Sequence, residues 1–248
     1  MPQFKDHFST QSAGYSKFRP DYPKAMYKYL SDIAEKHDLL WDCATGTGQA
    51  ARGLSGHFKS VIATDASEKQ VAEAVGPDNI SFQVATAEKS GLNPASVDLI
   101  TVAQALHWFV GEGFYQEAKR VLKKNGVIAV WSYNLLKIET EIDHIVNRLS
   151  DETLRNYWPP ERQIVRDNYQ TIDFPFQEET VPEFHMTAEW TRGDLMGYLA
   201  TWSSVVRYKA ANGCDPLESI SEELKVLWPD AEEPKKVIWP LTMRVGRC

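Results

Sequence analysis

A short apolar segment runs directly into a turn with two glycines, and this feature restricts the fold more than any other part of the sequence. Leu39–Cys43 reads as a strand and leads into Gly46 and Gly48. Without a Cβ, these residues let main-chain amides approach a polar ligand, and the following helix points its positive end toward the same place. An ordinary strand-to-helix turn can carry two glycines as well, so the turn alone does not identify a ligand.

A second strand ends in an acidic residue, which narrows the kind of ligand that the glycine turn could bind. Residues 60–64 form an apolar segment that ends in Asp65, seventeen residues beyond Gly48. A carboxylate at the end of the second strand can accept both hydrogen bonds of a ribose diol. Together with the glycine turn, Asp65 predicts a cofactor that contains a nucleoside.

Five apolar segments of strand length alternate with helical patterns over the first half of the chain. Strands that are apolar throughout are covered on both faces, which is typical of a parallel sheet. The alternation predicts a doubly wound α/β fold whose ligand site lies at the carboxyl ends of the strands. The predicted strands are residues 39–43, 61–64, 80–85, 97–103 and 127–133.

The pattern changes after the fifth predicted strand. Residues 138–149 are amphipathic, and residues 157–162 are aromatic, charged and rich in proline, which indicates an inserted helical cap. Later segments predict strands at 183–190 and 237–245 and helices at 193–203 and 217–227. We therefore expect one domain over 1–248. Its parts are an N-terminal lid and helix (1–38), a cofactor-binding core (39–135), the inserted cap (136–178) and C-terminal elements that complete the sheet (179–248).

The net charge and the spacing of the cysteines and histidines limit the classes of partner and ligand that we expect this protein to bind. The formal net charge of -7 argues against a nucleic-acid or anionic-membrane surface. The three cysteines lack CxxC spacing and the six histidines lack HExxH spacing, so neither a disulfide framework nor a metal site is indicated. No segment has the apolar length of a signal peptide or a membrane span. We expect a cytoplasmic monomer or homodimer that acts on a small molecule.

The residue before the glycine turn distinguishes between two cofactors. The segment from Gly46 to Ala51 satisfies the GxGxxG/A pattern of NAD-binding folds. Asp42 would repel the pyrophosphate of a dinucleotide, whereas it would attract the ammonium group of S-adenosylmethionine. S-adenosylmethionine is therefore the favoured cofactor.

At this point the sequence resembles the class I S-adenosylmethionine-dependent methyltransferases. Residues 42–48 resemble the first motif of that family, with Ala44 where glycine is more usual. Asp65 resembles the ribose-binding acid, residues 86–88 the adenine segment, residues 97–109 the fourth strand with the loop beside the transferred methyl, and residues 120–126 the helix and turn before strand five. The resemblance implies a Rossmann-like sheet of seven strands. It also implies cofactor contacts from Tyr15, Arg19, Asp42, Ala44, Thr45, Gly46, Gly48, Asp65, Ala66, Ala87, Glu88, Ala103, Gln104 and Ala105.

Further segments resemble one branch of that family. Residues 8–23, 158–162 and 174–176 are similar to the trans-aconitate methyltransferases and related small-molecule enzymes. This resemblance implies a small-molecule acceptor, for which a carboxylic acid is one candidate.

Two side chains are candidates for chemistry. His107 follows the fourth strand, where it could act as a base, line the acceptor pocket or simply cap a helix start. Arg19 could grip a carboxylate of the cofactor or of an acidic substrate, or lie in solvent. The predicted acceptor pocket consists of Tyr22, His107, Trp108, Trp131 and Trp158, although core packing is an alternative for each tryptophan.

Two other functions stay open from the sequence. One is an NAD-dependent oxidoreductase, which Asp42 disfavours. The other is a binding subunit that keeps the fold without catalysis; loss of the cofactor residues would be its signature, yet Gly46, Gly48 and Asp65 are all present.

Overall fold

The structure, a computed structural model, describes residues 20–248. Tyr15 and Arg19, which the sequence assigns to the lid and the cofactor site, lie outside the described residues.

A single mixed sheet forms the centre of the described chain, and its order confirms the doubly wound prediction. The order is β3-β2-β1-β4-β5-β8-β6, with β7 also paired to β8. The first five strands are parallel, and β8 runs antiparallel to β5. The strands are β1 (Leu39–Cys43), β2 (Ser60–Asp65), β3 (Ile80–Val84), β4 (Val97–Ala103), β5 (Leu122–Tyr133), β6 (Gln177–Glu179), β7 (Phe184–Trp190) and β8 (Lys235–Arg247).

The strands β6 and β7 are two pieces of one interrupted strand. Leu241 of β8 pairs with Tyr133 of β5 on one edge and with Phe184 of β7 on the other. The short β6 runs in the same direction as β7 along that second edge. Residues 180–183 separate the pieces and include Pro182, which has no N–H for the ladder. The expected seven strands are thus present, with the last-but-one strand broken.

Helices cover both faces of the sheet. Their apolar residues recur at helical spacing, so each helix has an apolar side that packs against the strands. Phe114, Ala118 and Val121 are fully buried on one side of α4. The helix predicted over 193–203 is wrong in extent: Trp202 has extended backbone angles and separates α7 from α8, which the sequence did not predict. The helices are α1 (Lys24–Ile33), α2 (Gln49–Ser55), α3 (Glu68–Glu73), α4 (Glu112–Val121), α5 (Thr140–Arg148), α6 (Arg162–Arg166), α7 (Arg192–Ala200), α8 (Ser203–Asn212) and α9 (Glu218–Leu227).

The central strands are buried on both faces, as predicted, but the edge strand is not. In β5, Val127 and Ala129 belong to the core on one face, and Ile128 and Val130 belong to the core on the other. In β3, by contrast, Ser81, Gln83 and Val84 are exposed to solvent. The expectation that every one of the five strands is covered on both sides is therefore wrong for β3, which has a neighbour on one edge only.

Neither a metal cluster nor a membrane span is found within residues 20–248. No group of three His, Cys, Asp or Glu side chains there is arranged to hold a metal ion. No helix in that part of the chain combines the length and apolarity needed to cross a bilayer. The three cysteines are free thiols, of which Cys43 is buried.

Candidate active site

The glycine turn lies at the carboxyl end of β1, where the strand order reverses between β1 and β4. This is the position at which open α/β sheets bind ligands. The turn is held against the end of β2 by two hydrogen bonds: the Thr45 amide donates to the Thr64 carbonyl (2.9 Å), and the Gly46 amide donates to Asp65 Oδ2 (2.8 Å). The turn and the acidic residue that the sequence singled out are thus joined directly.

Three residues of the turn adopt left-handed backbone conformations. The φ angles are +54° at Ala44, +58° at Gly46 and +89° at Gly48. Glycine tolerates this region without penalty, whereas a Cβ at Ala44 meets a carbonyl oxygen there. Ala44 therefore carries a strain that the glycine more usual in this motif would avoid.

Replacing Ala44 by glycine should accordingly stabilise the protein. Removing the left-handed strain should raise the free energy of unfolding by about 1–2 kcal/mol. The greater flexibility of glycine in the unfolded chain should lower it by about 0.4–1 kcal/mol. We expect a net gain of roughly 0.5–1 kcal/mol in the free energy of unfolding by urea titration. The matched control is Ala50→Gly in α2, where the same change should destabilise. A loss of stability in Ala44→Gly would contradict this account of the turn.

The two glycines have different surroundings. A Cβ built on Gly46 would meet only the Gln70 side-chain oxygen at 3.8 Å, so this residue faces an opening. A Cβ on Gly48 would lie 2.6 Å from Cε1 of Phe82. The space that the sequence assigned to the cofactor beside Gly48 is therefore filled by Phe82, and the opening suited to a ligand lies at Gly46.

Asp42 braces the turn from inside. The carboxylate is buried, and its Oδ2 accepts hydrogen bonds from the Thr45 hydroxyl (2.5 Å) and the Ala51 amide (3.1 Å). Its Oδ1 accepts a hydrogen bond from the Thr101 hydroxyl of β4 at 2.7 Å. Burial raises the pKa of Asp42 to about 6. The carboxylate is buried and all three of these partners belong to the protein, so in this structure Asp42 holds the turn, and its direct attraction of a cofactor ammonium stays a prediction.

Asp65 is half-buried at the carboxyl end of β2. Besides the Gly46 amide, it accepts a hydrogen bond from the Ser67 amide at 2.9 Å, so it fixes Ala66 and the start of α3 as well. Each carboxylate oxygen has a second lone pair, so a ribose diol can still be bound here. The residues present therefore fit a nucleoside cofactor.

The loops after β3 and β4 complete the same edge. Ala87 is buried and Glu88 exposed after β3, and Ala103 to Ala105 follow at the end of β4. Gln104 has a φ of +52°, and its Nε2 donates to the Tyr133 carbonyl at 3.1 Å. Its buried Oε1 has no hydrogen-bond partner among the described residues. Gln104 thus ties the end of β4 to the end of β5.

His107 lies in a single 3-10 turn directly beyond this loop. Its Nδ1 is 3.1 Å from the hydroxyl of Tyr169, which is buried. Burial, and secondarily the positive charge of Arg162, lowers the pKa of His107 to about 3. The imidazole is therefore neutral at physiological pH and a weak base.

The predicted pocket residues fall into two groups. Tyr22 and Trp131 are buried and pack edge-on at 5.4 Å between ring centroids, so they are core residues in this structure. The rings of Trp108 and His107 are tilted against each other with centroids 4.7 Å apart, and Trp158 is half-buried. The structure places His107 and Trp108 in the turn beyond β4, near the carboxyl ends of the strands, whereas Tyr22 and Trp131 belong to the hydrophobic core.

Sequence reasoning missed two residues of this region, Arg162 and Tyr169. Arg162 begins α6, and its guanidinium lies 5.0 Å from the ring centroid of Trp158. It also lines a cavity of about 290 Å³ beside the end of β5, together with Asn134, Asn147 and Ser150. Helical spacing does not predict this contact, because Trp158 has extended backbone angles and α6 begins only at Arg162.

Comparison with known proteins gives consistent matches. Residues 41–130 match a family model described as a methyltransferase domain. A Dictyostelium discoideum protein named as a methyltransferase is 36% identical over 244 residues, which cover 95% of this chain and 91% of that protein. The Saccharomyces cerevisiae protein CRG1, named as an S-adenosylmethionine-dependent methyltransferase, is 26% identical over 272 residues and 92% of each chain. Among solved structures, a protein named as a type II methyltransferase from Anaeromyxobacter dehalogenans superposes with a TM-score of 0.87 at 39% identity, covering 92% of this chain and 97% of that one.

Proposed function

Because the chain belongs to the class I S-adenosylmethionine-dependent methyltransferases, we propose that it methylates a carboxylate oxygen of a small molecule. Its cofactor is S-adenosylmethionine, and this excludes the NAD-dependent oxidoreductase that the glycine pattern left open. Membership in an enzyme family likewise replaces the alternative of a non-catalytic binding subunit.

The residues at the open edge of the sheet suit distinct parts of the cofactor. In our proposal Asp65 accepts the ribose hydroxyls, and Ala66, Ala87 and Glu88 border the adenine. Ala44, Thr45 and Gly46 then line the methionine part, with Ala103, Gln104 and Ala105 on its other side. The bound cofactor supplies a methyl group on a positively charged sulfur, and the protein has to align an acceptor with it and keep water out.

His107 is the observation that carries the choice of acceptor. A phenol or an amine loses a proton when it is methylated, so such an acceptor benefits from a base of suitable pKa. With a pKa of about 3, His107 takes up a proton poorly at neutral pH. A carboxylic acid is already ionised there and needs no base. The burial of His107 and its proximity to Arg162 therefore favour an acceptor that arrives ionised.

The cap and the cavity favour a small acceptor. The cavity of about 290 Å³ is lined by residues 134–137, which follow β5, and by residues of α5 and α6, which lie within the segment 136–178 that we propose as the cap. Its volume suits a metabolite-sized ligand. The net charge of -7 also favours a small molecule over a nucleic acid.

The direct test identifies the bond that is made. The protein is incubated with methyl-labelled cofactor and a panel of short carboxylic acids, phenols and amines. We expect the label in a methyl ester, which mild alkali releases as methanol. Label that resists alkali and resides on nitrogen or a phenolic oxygen would disprove the proposed acceptor.

The pH dependence of turnover tests the role of His107. If the acceptor arrives ionised, the rate at saturating substrates should show no inflection near pH 6.5, where an unperturbed histidine titrates. His107→Asn, which keeps an acceptor near Tyr169, should lower kcat less than about tenfold, because a general base contributes roughly a hundredfold or more. Tyr169→Phe is the matched control, because it removes the hydroxyl that lies 3.1 Å from His107 Nδ1 and leaves the imidazole in place. A much larger loss in His107→Asn, together with loss of an inflection near pH 6.5, would assign His107 as the base and argue against the carboxylate.

A further inference from the structure

Arg162 carries a positive charge that the described protein does not neutralise. Its side chain is half-buried at the start of α6. Within residues 20–248 no carboxylate lies at ion-pair distance from it, and no acceptor hydrogen-bonds its guanidinium. The nearby Asp151 is instead paired with Arg166 at 2.8 Å. Burial lowers the pKa of Arg162, since the charged form loses hydration without gaining a partner.

The guanidinium rests on a fixed platform. The Trp158 ring lies beneath it at 5.0 Å, and Trp158 Nε1 donates to the Ser150 carbonyl at 3.1 Å. The same indole packs against Trp202 with ring centroids 5.3 Å apart. A cation above an aromatic ring is stabilised through one face, which leaves the N–H groups along its edge available to another ligand.

The location of Arg162 connects it to the acceptor side of the site. Its charge is close enough to His107 to lower that pKa and to Tyr133 to be influenced by it. His107 lies beyond the carboxyl end of β4, and Tyr133 is the last residue of β5. Arg162 also faces the cavity that contains Asn134, whose Oδ1 is buried without a described partner. The cavity is therefore bordered by hydrogen-bond donors of Arg162 and by an acceptor, Asn134 Oδ1, that have no described partner. It lies near the carboxyl ends of the strands, where we propose that the methyl is transferred.

We propose that Arg162, supported by Trp158, binds an anionic group of the methyl acceptor that is distinct from the oxygen receiving the methyl. Arginine pairs with a carboxylate through both oxygens, and lone pairs engaged in that way are poorly available for attack on the methyl. The acceptor then carries a second acidic group besides the methylated one. The inference rests on the proposed carboxylate methylation and adds the residue that selects among carboxylic acids.

The experiment measures binding as well as turnover. Short α,ω-dicarboxylic acids and the half-amide of each, which differs only in one charge, are titrated calorimetrically into the protein saturated with S-adenosylhomocysteine. We expect the best diacid to bind the wild type roughly ten- to a hundredfold more tightly than its half-amide, the range for charge-assisted hydrogen bonds. Arg162→Gln should abolish this difference, and Arg162→Lys should retain part of it. Arg148→Gln, which removes an equally positive charge from the exposed pair with Glu223, should keep the whole difference.

Each outcome separates the inference from the proposed function. Unchanged affinity of every variant for S-adenosylhomocysteine shows that the fold is intact. Discrimination that survives in Arg162→Gln, or that is absent from the wild type for every diacid, overturns the role of Arg162. Formation of an alkali-labile methyl ester by Arg162→Gln with a raised KM and a similar kcat supports both ideas. If the wild type forms esters and Arg162→Gln has an unchanged KM, methylation of carboxylates stands and the inference fails.

Discussion

Gly48→Val is expected to disrupt the fold before any effect on the cofactor can be measured. A β-branched residue at a φ of +89° costs about 1–3 kcal/mol in backbone strain. The new Cβ would also lie 2.6 Å from Cε1 of Phe82, and such overpacking costs about 1–3 kcal/mol more. We expect the free energy of unfolding to fall by about 3–5 kcal/mol in protein without cofactor, as measured by chemical denaturation.

Gly56→Val provides a matched comparison. Gly56 follows α2 with a φ of -69°, and a Cβ there would have no heavy atom within 4 Å. The same substitution should therefore change stability by less than about 1 kcal/mol. If Gly48→Val unfolds like the wild type without cofactor but loses cofactor affinity, the valine would instead occupy space that the methionine part of the cofactor needs, and the expected clash with Phe82 would be disproved.

Asp65→Ala is expected to damage cofactor binding and the turn together. Loss of the ribose hydrogen bonds should weaken binding of S-adenosylhomocysteine by about 1.5–3 kcal/mol, or roughly ten- to a hundredfold. The same change leaves the amides of Gly46 and Ser67 without their side-chain acceptor. An unsatisfied buried donor costs about 1–3 kcal/mol, so the unfolding free energy of the empty protein should also decrease.

Asp65→Asn separates these two effects. The amide retains one acceptor oxygen of similar shape, so stability should recover further than affinity. Calorimetry and denaturation of both variants give the two quantities independently. An affinity in Asp65→Ala equal to that of the wild type would show that the ribose lies elsewhere.

Much of the parallel half of the sheet was predictable because its information is local. Strands such as β4 are apolar at nearly every position, and the turn after β1 requires residues that tolerate a positive φ, as at Gly46. Asp65 was identified correctly at the end of β2 because a strand followed by an acid is a short-range pattern. The broken pair β6 and β7 was harder to predict, since three residues of β6 carry too little periodicity to be distinguished from a loop.

The orientation of Asp42 could not be predicted from its position before the glycines. Side chains alternate across a strand, so Asp42 shares the face of Leu40 and points toward α2. A similar limit applies to Gly48, whose neighbour Phe82 is distant in sequence and meets it only after β3 has paired with β2. The properties of His107 and Arg162 arise in the same way from packing that involves Tyr169 and Trp158, which are distant in sequence from the loop after β4.

The position of β8 has a consequence for how the chain is made. This strand lies between β5 and the interrupted pair β6 and β7, so the pair has no partner on its inner edge until Lys235–Arg247 has been synthesised. Arg247 follows Trp190 by 57 residues, which take roughly 3 to 11 s at a translation rate of about 5–20 residues/s. During that interval β5 presents an unpaired edge to other chains, the condition that favours aggregation. While the chain is being made, the side of β5 that later pairs with β8 is therefore the part of the parallel sheet that stays open to wrong pairing for longest.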